Sequence, residues 1–166
     1  MARISTKIGD VFSVKIDNRS KKYFQYIVND LTQLNSDVIR AFEKEYPINT
    51  NPELSEIIGD TVEFYAHCVT KLGLKMSIWE KVGNIKEVGE ISKILFRDTN
   101  DYGVKIGEEP IKVSQNWYVW HVNDQKFTEV GKLEGKNLDA EIGIVVTPYD
   151  IIDRMKSGQY SFVYPG

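Results

Sequence analysis

The sequence has little of the chemistry that most covalent and metal sites require. Its 166 residues include 1 cysteine, Cys68, and 2 histidines, His67 and His121. One cysteine excludes an intramolecular disulfide and is typical of a reducing compartment. Metal sites usually combine several neighbouring ligands, whereas adjacent residues such as His67 and Cys68 point to opposite faces of a strand. We therefore predict no disulfide framework, no metal site and no cofactor.

Long apolar runs are also missing. Aliphatic stretches such as residues 144–146 are far too short to cross a bilayer. After "MARISTK" the chain alternates in polarity, where a secretory signal would have an apolar core. The net charge of −3 argues against a dedicated nucleic-acid binder. We expect a cytoplasmic protein whose partner is neither a membrane nor a nucleic acid.

Catalytic motifs are scarce as well. The sequence has no glycine pattern that could hold a phosphate and no Gly-x-Ser-x-Gly turn that could present a nucleophile. A nucleophilic pair of Cys68 and His121 is conceivable. However, Cys68 lies on the apolar face of its predicted strand, where a thiol usually packs as a small hydrophobic group. These features favour a protein that is not an enzyme, and they leave a small hydrolase or ligand-binding β domain open as the alternative.

The residues that are present predict mainly β-structure in one domain, residues 1–166. Residues 9–16 and 61–72 alternate between apolar and polar side chains, which is the period of a half-buried strand. Residues 21–31 are rich in aromatic and β-branched side chains, and residues 37–46 are interpreted as a further strand. Large apolar residues on both faces of residues 116–122 indicate a covered strand and not a platform for stacking bases or sugars.

Two segments carry helix start and stop signals. Asn51 as cap and Pro52 as first residue predict a helix over about 52–58. Thr147 as cap, Pro148 as first residue and Gly158 as terminator predict a second helix over 148–157. The fold class we expect is α+β and mainly β, a strongly curved antiparallel sheet or partly open barrel with these two short helices.

The segment "DTNDYGVKIGEE", residues 98–109, matches much of a helix–loop–helix calcium loop, with Asp, Asn, Gly and Glu at the expected spacing. Two features oppose a calcium site. Tyr102 occupies a position that should supply an oxygen ligand, and the residues from Pro110 onward are typical of a strand where the motif needs a helix. We interpret the segment as an acidic, solvated connection with an exposed tyrosine.

Short motifs in the first two thirds of the chain resemble a known family. "KIGDVFSVKI" is followed by a strand with Tyr23 and Tyr26, then by "PELSEII" as a short helix that starts with proline, a hydrophobic strand and "WEKVGNI". Over residues 7–96 this order is similar to that of the immunity protein 26 family, bacterial proteins that accompany polymorphic toxins. The matched residues have structural explanations: backbone freedom for Gly9 and Gly83, core packing for Val11, Phe12 and Trp79.

The resemblance implies a small cytoplasmic protein that binds a cognate toxin domain and neutralises it without catalysis. Its binding residues are expected in a variable, exposed segment. Residues 97–110 fit that description, and we predict that the partner contacts this set: Asp98, Asp101, Tyr102, Glu108 and Glu109. Residues 101–166 carry 10 acidic and 7 basic groups, so we expect a toxin with a basic surface.

Overall fold

The computed structural model describes residues 3–101 and 106–166. Its strands are β1 (Asp10–Lys15), β2 (Ser20–Asp30), β3 (Ser36–Phe42), β4 (Tyr46–Pro47), β5 (Val62–Cys68), β6 (Trp79–Asn84), β7 (Leu95–Thr99), β8 (Trp117–His121), β9 (Thr128–Gly131), β10 (Glu141–Ile142) and β11 (Val145–Val146). Its α-helices are α1 (Leu54–Ile58), α2 (Thr70–Lys75) and α3 (Pro148–Ser157), and Gly135–Asp139 form a 3-10 turn.

The strands form two sheets. Among the described residues, the larger sheet has seven strands in the order β11-β5-β3-β2-β1-β6, with β4 paired to β2, and the smaller has four in the order β10-β7-β8-β9. Most pairs are antiparallel, and β11 with β5 and β10 with β7 are parallel. The expected α+β, mainly β class is confirmed. In the described part of the chain, the β-structure is divided between two mixed sheets, and neither closes into a barrel.

Both faces of the larger sheet are covered. One face carries Phe12, Phe24 and Cys68 and packs against Ile151 and Met155 of α3. The opposite face is covered by α1 at one end and by the smaller sheet at the other, where Ile27 and Val38 meet Phe96 and Trp120. This arrangement explains why β2 and β3 are buried along almost their whole length, a pattern that the strict alternation of a half-exposed strand would not give.

The C-terminal helix follows its sequence signals closely. Thr147 and Asp150 form a reciprocal capping box, Pro148 opens α3, and Gly158 ends it at φ 83°, a left-handed conformation that glycine adopts without strain. The predicted start of the first helix at Asn51 and Pro52 is wrong, because α1 begins at Leu54 after an extended Glu53.

One helix has no clear sequence signal. Helix α2 follows directly on β5, and its N-cap Val69 makes no side-chain capping bond. The helix is held by tertiary packing instead: Gly73 lies against the ring of Trp79, whose indole N–H donates to the Thr70 carbonyl at 2.9 Å.

Two glycines from the family resemblance have different roles. Gly9 adopts φ 97° directly before β1, so backbone freedom is confirmed there. Gly83 has no such φ, and a Cβ at this position would lie 2.8 Å from Leu54 Cδ1, so the role of this glycine is close packing against α1 and not backbone freedom. Within the described ranges, no helix has the length and apolar character needed to span a membrane.

Candidate functional site

The structure separates the predicted contact residues into three groups. Asp98 belongs to β7 and is 8% exposed. Its Oδ1 accepts hydrogen bonds from Tyr164 Oη at 2.8 Å and from the Thr99 N–H at 2.8 Å. Burial raises the pKa of Asp98 above its ordinary value, against the lowering effect of these bonds and of one with Tyr118. The expectation that Asp98 lies exposed in a solvated loop is therefore wrong.

Asp101 closes the base of the loop that follows β7. Its Oδ2 accepts from Ser114 Oγ at 2.9 Å and from Asn116 Nδ2 at 2.8 Å. Ser114 is buried and its hydroxyl lies 2.8 Å from that of Thr99. Asp101 is partly exposed, but these bonds make it a structural residue that ties the end of β7 to the approach to β8.

Glu108 and Glu109 are exposed, as predicted, and exposed aliphatic residues lie near them in sequence. We call residues 106–113 the acidic loop. Ile106, Ile111 and Val113 expose 106%, 45% and 61% of their surface, so aliphatic side chains flank the two glutamates in water. Tyr102, the aromatic member of the predicted set, lies outside the described residues.

The acidic loop does not continue into a helix. Residues 110–116 contain no helical segment before β8 begins at Trp117, and Asp98, which would be the first calcium ligand, is buried in a strand. In the described ranges, no group of three or more histidine, cysteine or carboxylate side chains is placed to hold a metal ion.

A buried polar cluster joins the two sheets. Asp30 Oδ2 lies 2.9 Å from His67 Nε2 and accepts from the indole N–H of Trp120 at 2.8 Å. Asp30 Oδ1 accepts from the Asn123 N–H at 3.1 Å. Burial alone would raise the pKa of Asp30, but these hydrogen bonds, that of His67 foremost, hold it below its ordinary value.

Solvent does not reach this cluster. Asp30 and His67 are both fully buried, and His67 packs on Phe96 with ring centroids 4.1 Å apart. Cys68 points to the opposite face of β5, into the core under α3, and burial raises the pKa of its thiol. The inward position predicted for Cys68 is confirmed. The Asp30–His67 contact links β2 to β5 within the larger sheet, and the bond from Trp120 to Asp30 connects that sheet to the smaller one.

A cleft of about 600 Å³ opens between β5 and the smaller sheet. We call it the His121 cleft. Trp120, Val119 and Ile94 lie at its buried base, and Lys93, Lys136 and His121 stand among its exposed residues. His121 Nδ1 lies 3.6 Å from Asp124 Oδ2. The volume of the His121 cleft and its mixture of apolar base and polar exposed residues are typical of small-molecule sites.

Sequence reasoning found the aromatic strand but missed this cleft. The predicted core role of Trp117 and Trp120 is confirmed, since they are 1% and 2% exposed. The lining, however, comes from residues 62–65, 93–95, 119–130 and 136–141. No local pattern connects these segments, because they meet only when the smaller sheet docks on the larger one.

The chain was compared with known proteins at three levels, and no family model, curated protein or solved structure matches it. The resemblance to the immunity protein 26 family therefore remains an expectation based on the short motifs of residues 7–96.

Proposed function

We propose that this chain is a non-catalytic, cytoplasmic immunity-type protein that binds and neutralises a cognate bacterial toxin domain with a basic surface. The observation that carries the proposal is the composition of the acidic loop. Its exposed aliphatics, Ile106, Ile111 and Val113, flank the exposed acids Glu108 and Glu109. Clustered exposed apolar residues with a charged surround are typical of protein-binding surfaces.

The two kinds of side chain contribute differently to such a contact. Glutamates at the edge steer the encounter with a basic partner and accelerate association, an effect that salt screens. Apolar side chains that become buried on binding determine how long the complex lasts. Tyr102 belongs to the proposed contact as its aromatic anchor.

In this proposal Asp98 and Asp101 support the structure at the base of the loop and do not act as steering charges. Both already hold hydrogen bonds within the protein. A test that neutralised all four acids would therefore change the loop's shape together with its charge. The informative pair is Glu108→Gln with Glu109→Gln, because both side chains are exposed in the acidic loop.

The experiment is to express the chain with the toxin domain encoded next to its gene and to measure binding kinetics at two salt concentrations. We expect a stoichiometric complex that protects cells from the toxin. The double glutamine variant should associate about tenfold more slowly at low salt, and Ile111→Ser with Val113→Ser should dissociate faster. Glu43→Gln and Glu45→Gln, two exposed acids beside β4, form the matched control. Unchanged kinetics in both loop variants would place the contact elsewhere.

The His121 cleft favours a second candidate function, the binding of a small, mainly apolar ligand. Lys93 and Lys136 flank its opening, while Val130 and Trp120 line it. Anilinonaphthalene sulfonate is a suitable probe: Lys93→Gln with Lys136→Gln should weaken its binding, and Val130→Trp should block it. Equal binding by both variants would reject this candidate.

A further inference from the structure

A second cleft lies between the β7–β10 strand pair and the C-terminal segment. Its volume is about 470 Å³, and its walls are Arg97 of β7, residues 138–142, Arg154 of α3 and residues 158–165. We call it the Arg97 cleft. Three aromatic side chains of the C-terminal segment line it in alternation, Tyr160, Phe162 and Tyr164. Tyr160 and Phe162 stack with centroids 4.9 Å apart, so this wall is ordered by its own packing.

Arg97 brings a positive charge into the cleft. Its guanidinium lies over the ring of Trp117, 4.9 Å from the centroid. Its Nε is buried and has no hydrogen-bond partner among the described residues. Within the same ranges, the ion pairs involve other residues and none includes Arg97. Burial lowers the pKa of Arg97 below its ordinary value, although the charges of Tyr164 and Glu141 oppose the shift.

The second arginine of the cleft, Arg154, differs from Arg97 because its guanidinium has hydrogen-bond acceptors. Arg154 donates from Nη1 and Nη2 to the two carboxylate oxygens of Glu141, at 2.8 and 3.2 Å. It lies between the rings of Phe64 and Tyr160, 4.3 and 4.8 Å from their centroids. Arg154 and Glu141 therefore neutralise each other, and Asp139 stands exposed at the rim. The charges of the lining that remain outside this pair are those of Arg97 and the exposed Asp139.

A buried N–H donor such as Arg97 Nε is costly unless a partner supplies an acceptor. The planar fork of arginine fits a carboxylate or phosphate, which can accept two parallel hydrogen bonds. An oxyanion placed beside Arg97 and the aromatic wall would supply the missing acceptor.

We propose that the Arg97 cleft is a binding site for a small molecule that carries a carboxylate or phosphate group on an apolar or aromatic body. Arg97 binds the oxyanion, Phe162 and Tyr164 contact the body, and the Arg154–Glu141 pair holds the wall in place. The site is separate from the acidic loop, so the inference does not depend on the proposed function.

The direct test follows the Nε–H signal of Arg97 by NMR in protein labelled with nitrogen-15, with the signal assigned by its loss in Arg97→Lys. Phosphate, acetate, benzoate and phenyl phosphate are titrated at constant ionic strength with chloride. We expect a saturable shift of that signal, stronger for benzoate or phenyl phosphate than for acetate or phosphate. A preference between those two ring compounds identifies a carboxylate or a phosphate as the natural group.

Calorimetry with the better ring compound then tests the residue. Arg97→Gln should weaken binding at least about tenfold, and Arg97→Lys, which keeps the charge but loses the fork, should weaken it less. The matched control is Arg19→Gln, which removes an exposed arginine from the turn between β1 and β2. The proposal is overturned if no probe shifts the Arg97 signal saturably, or if the Arg19 variant weakens binding as much as the Arg97 variants.

Discussion

Asp30 Oδ2 and His67 Nε2 lie 2.9 Å apart, and neither side chain is exposed to solvent. Asp30 ends β2, His67 belongs to β5, and the same carboxylate also receives the indole N–H of Trp120 from the smaller sheet. One buried acid thus joins side chains of both sheets. A buried charge of this kind is tolerated only when its hydrogen bonds are complete, so Asp30 should be essential to the union of the sheets.

The first prediction concerns the loss of that acid. Asp30→Ala leaves His67 Nε2, Trp120 Nε1 and the Asn123 N–H without their acceptor, and we expect the free energy of unfolding to fall by about 3–5 kcal/mol. Urea unfolding at neutral pH, followed by tryptophan fluorescence, measures the change. Glu45→Ala removes an exposed acid and should change stability by less than about 0.5 kcal/mol. Similar effects of both substitutions would contradict the structural role of the cluster.

The second prediction contrasts two buried carboxyls with opposite pKa shifts. The folded pKa of Asp30 is lowered, so its contribution to stability is present above the unfolded pKa of about 4 and is lost as the pH falls through the folded value. The folded pKa of Asp98 is raised, so its contribution is present below the unfolded pKa and is lost as the pH rises through the folded value.

Asparagine at each site makes this contrast measurable. Between about pH 3 and pH 7, the stability of Asp30→Asn relative to the unsubstituted protein should decline as the pH rises. The relative stability of Asp98→Asn should increase over the same range, because the amide cannot ionise and still accepts from Tyr164. Urea midpoints collected across the range decide the matter, and parallel pH profiles for the two variants would be the opposing result.

The third prediction concerns the thiol. Cys68 is fully buried and burial raises its pKa, so little reactive thiolate forms in the folded state. A disulfide reagent should modify it slowly in native protein at neutral pH and rapidly in denaturant. Because Cys68 is the only cysteine, the denatured sample serves as the control. Rapid labelling of the native protein would restore Cys68 as a candidate nucleophile.

The parts of the fold that follow from sequence are those set by local chemistry. Period-two alternation predicted that the apolar face of β5, with Cys68, would face the core. Thr147 as cap, Pro148 as first residue and Gly158 as terminator predicted α3 at its observed limits. Helix α2 was not predictable in the same way, since its cap lacks a side-chain bond and its packing depends on Trp79.

In the candidate sites, too, features set by local sequence were predictable and features set by distant segments were not. The exposure of Glu108 and Glu109 followed from a polar stretch with glycine. The burial of Asp98 did not, because it depends on Tyr164, which is distant in sequence and covers that strand. Arg97 also looks like an ordinary charged strand residue until residues 138–142 and 158–165 form the walls around it. Sequence periodicity carries no information about which distant segment will cover a face.

The fourth prediction concerns calcium. The match of residues 98–109 to a calcium loop requires Asp98 as a free ligand, yet its carboxylate is buried and bonded to Tyr164 and Thr99. Calcium at millimolar concentration should therefore leave the melting temperature unchanged, with magnesium at equal ionic strength as the control. A rise of several degrees with calcium alone, reversed by a chelator, would show that the segment rearranges to bind the ion.

The last prediction concerns Gly73 in α2. Alanine normally stabilises a helix relative to glycine by about 0.5–1 kcal/mol. At this position, however, a Cβ would overlap the indole ring of Trp79, which is 2% exposed and held by its hydrogen bond to Thr70. The ring cannot move away without disturbing Phe24, whose centroid lies 4.8 Å from it. We therefore expect Gly73→Ala to destabilise the protein by about 1–3 kcal/mol and to alter the near-ultraviolet circular dichroism of Trp79.

The control for this prediction is Gly59→Ala, at the end of α1. The nearest contact of its added Cβ is the Ser55 carbonyl oxygen at 3.1 Å, so a small shift should accommodate it with little loss. If Gly73→Ala were as stable as the unsubstituted protein, α2 would have to pack on β6 differently from the arrangement described.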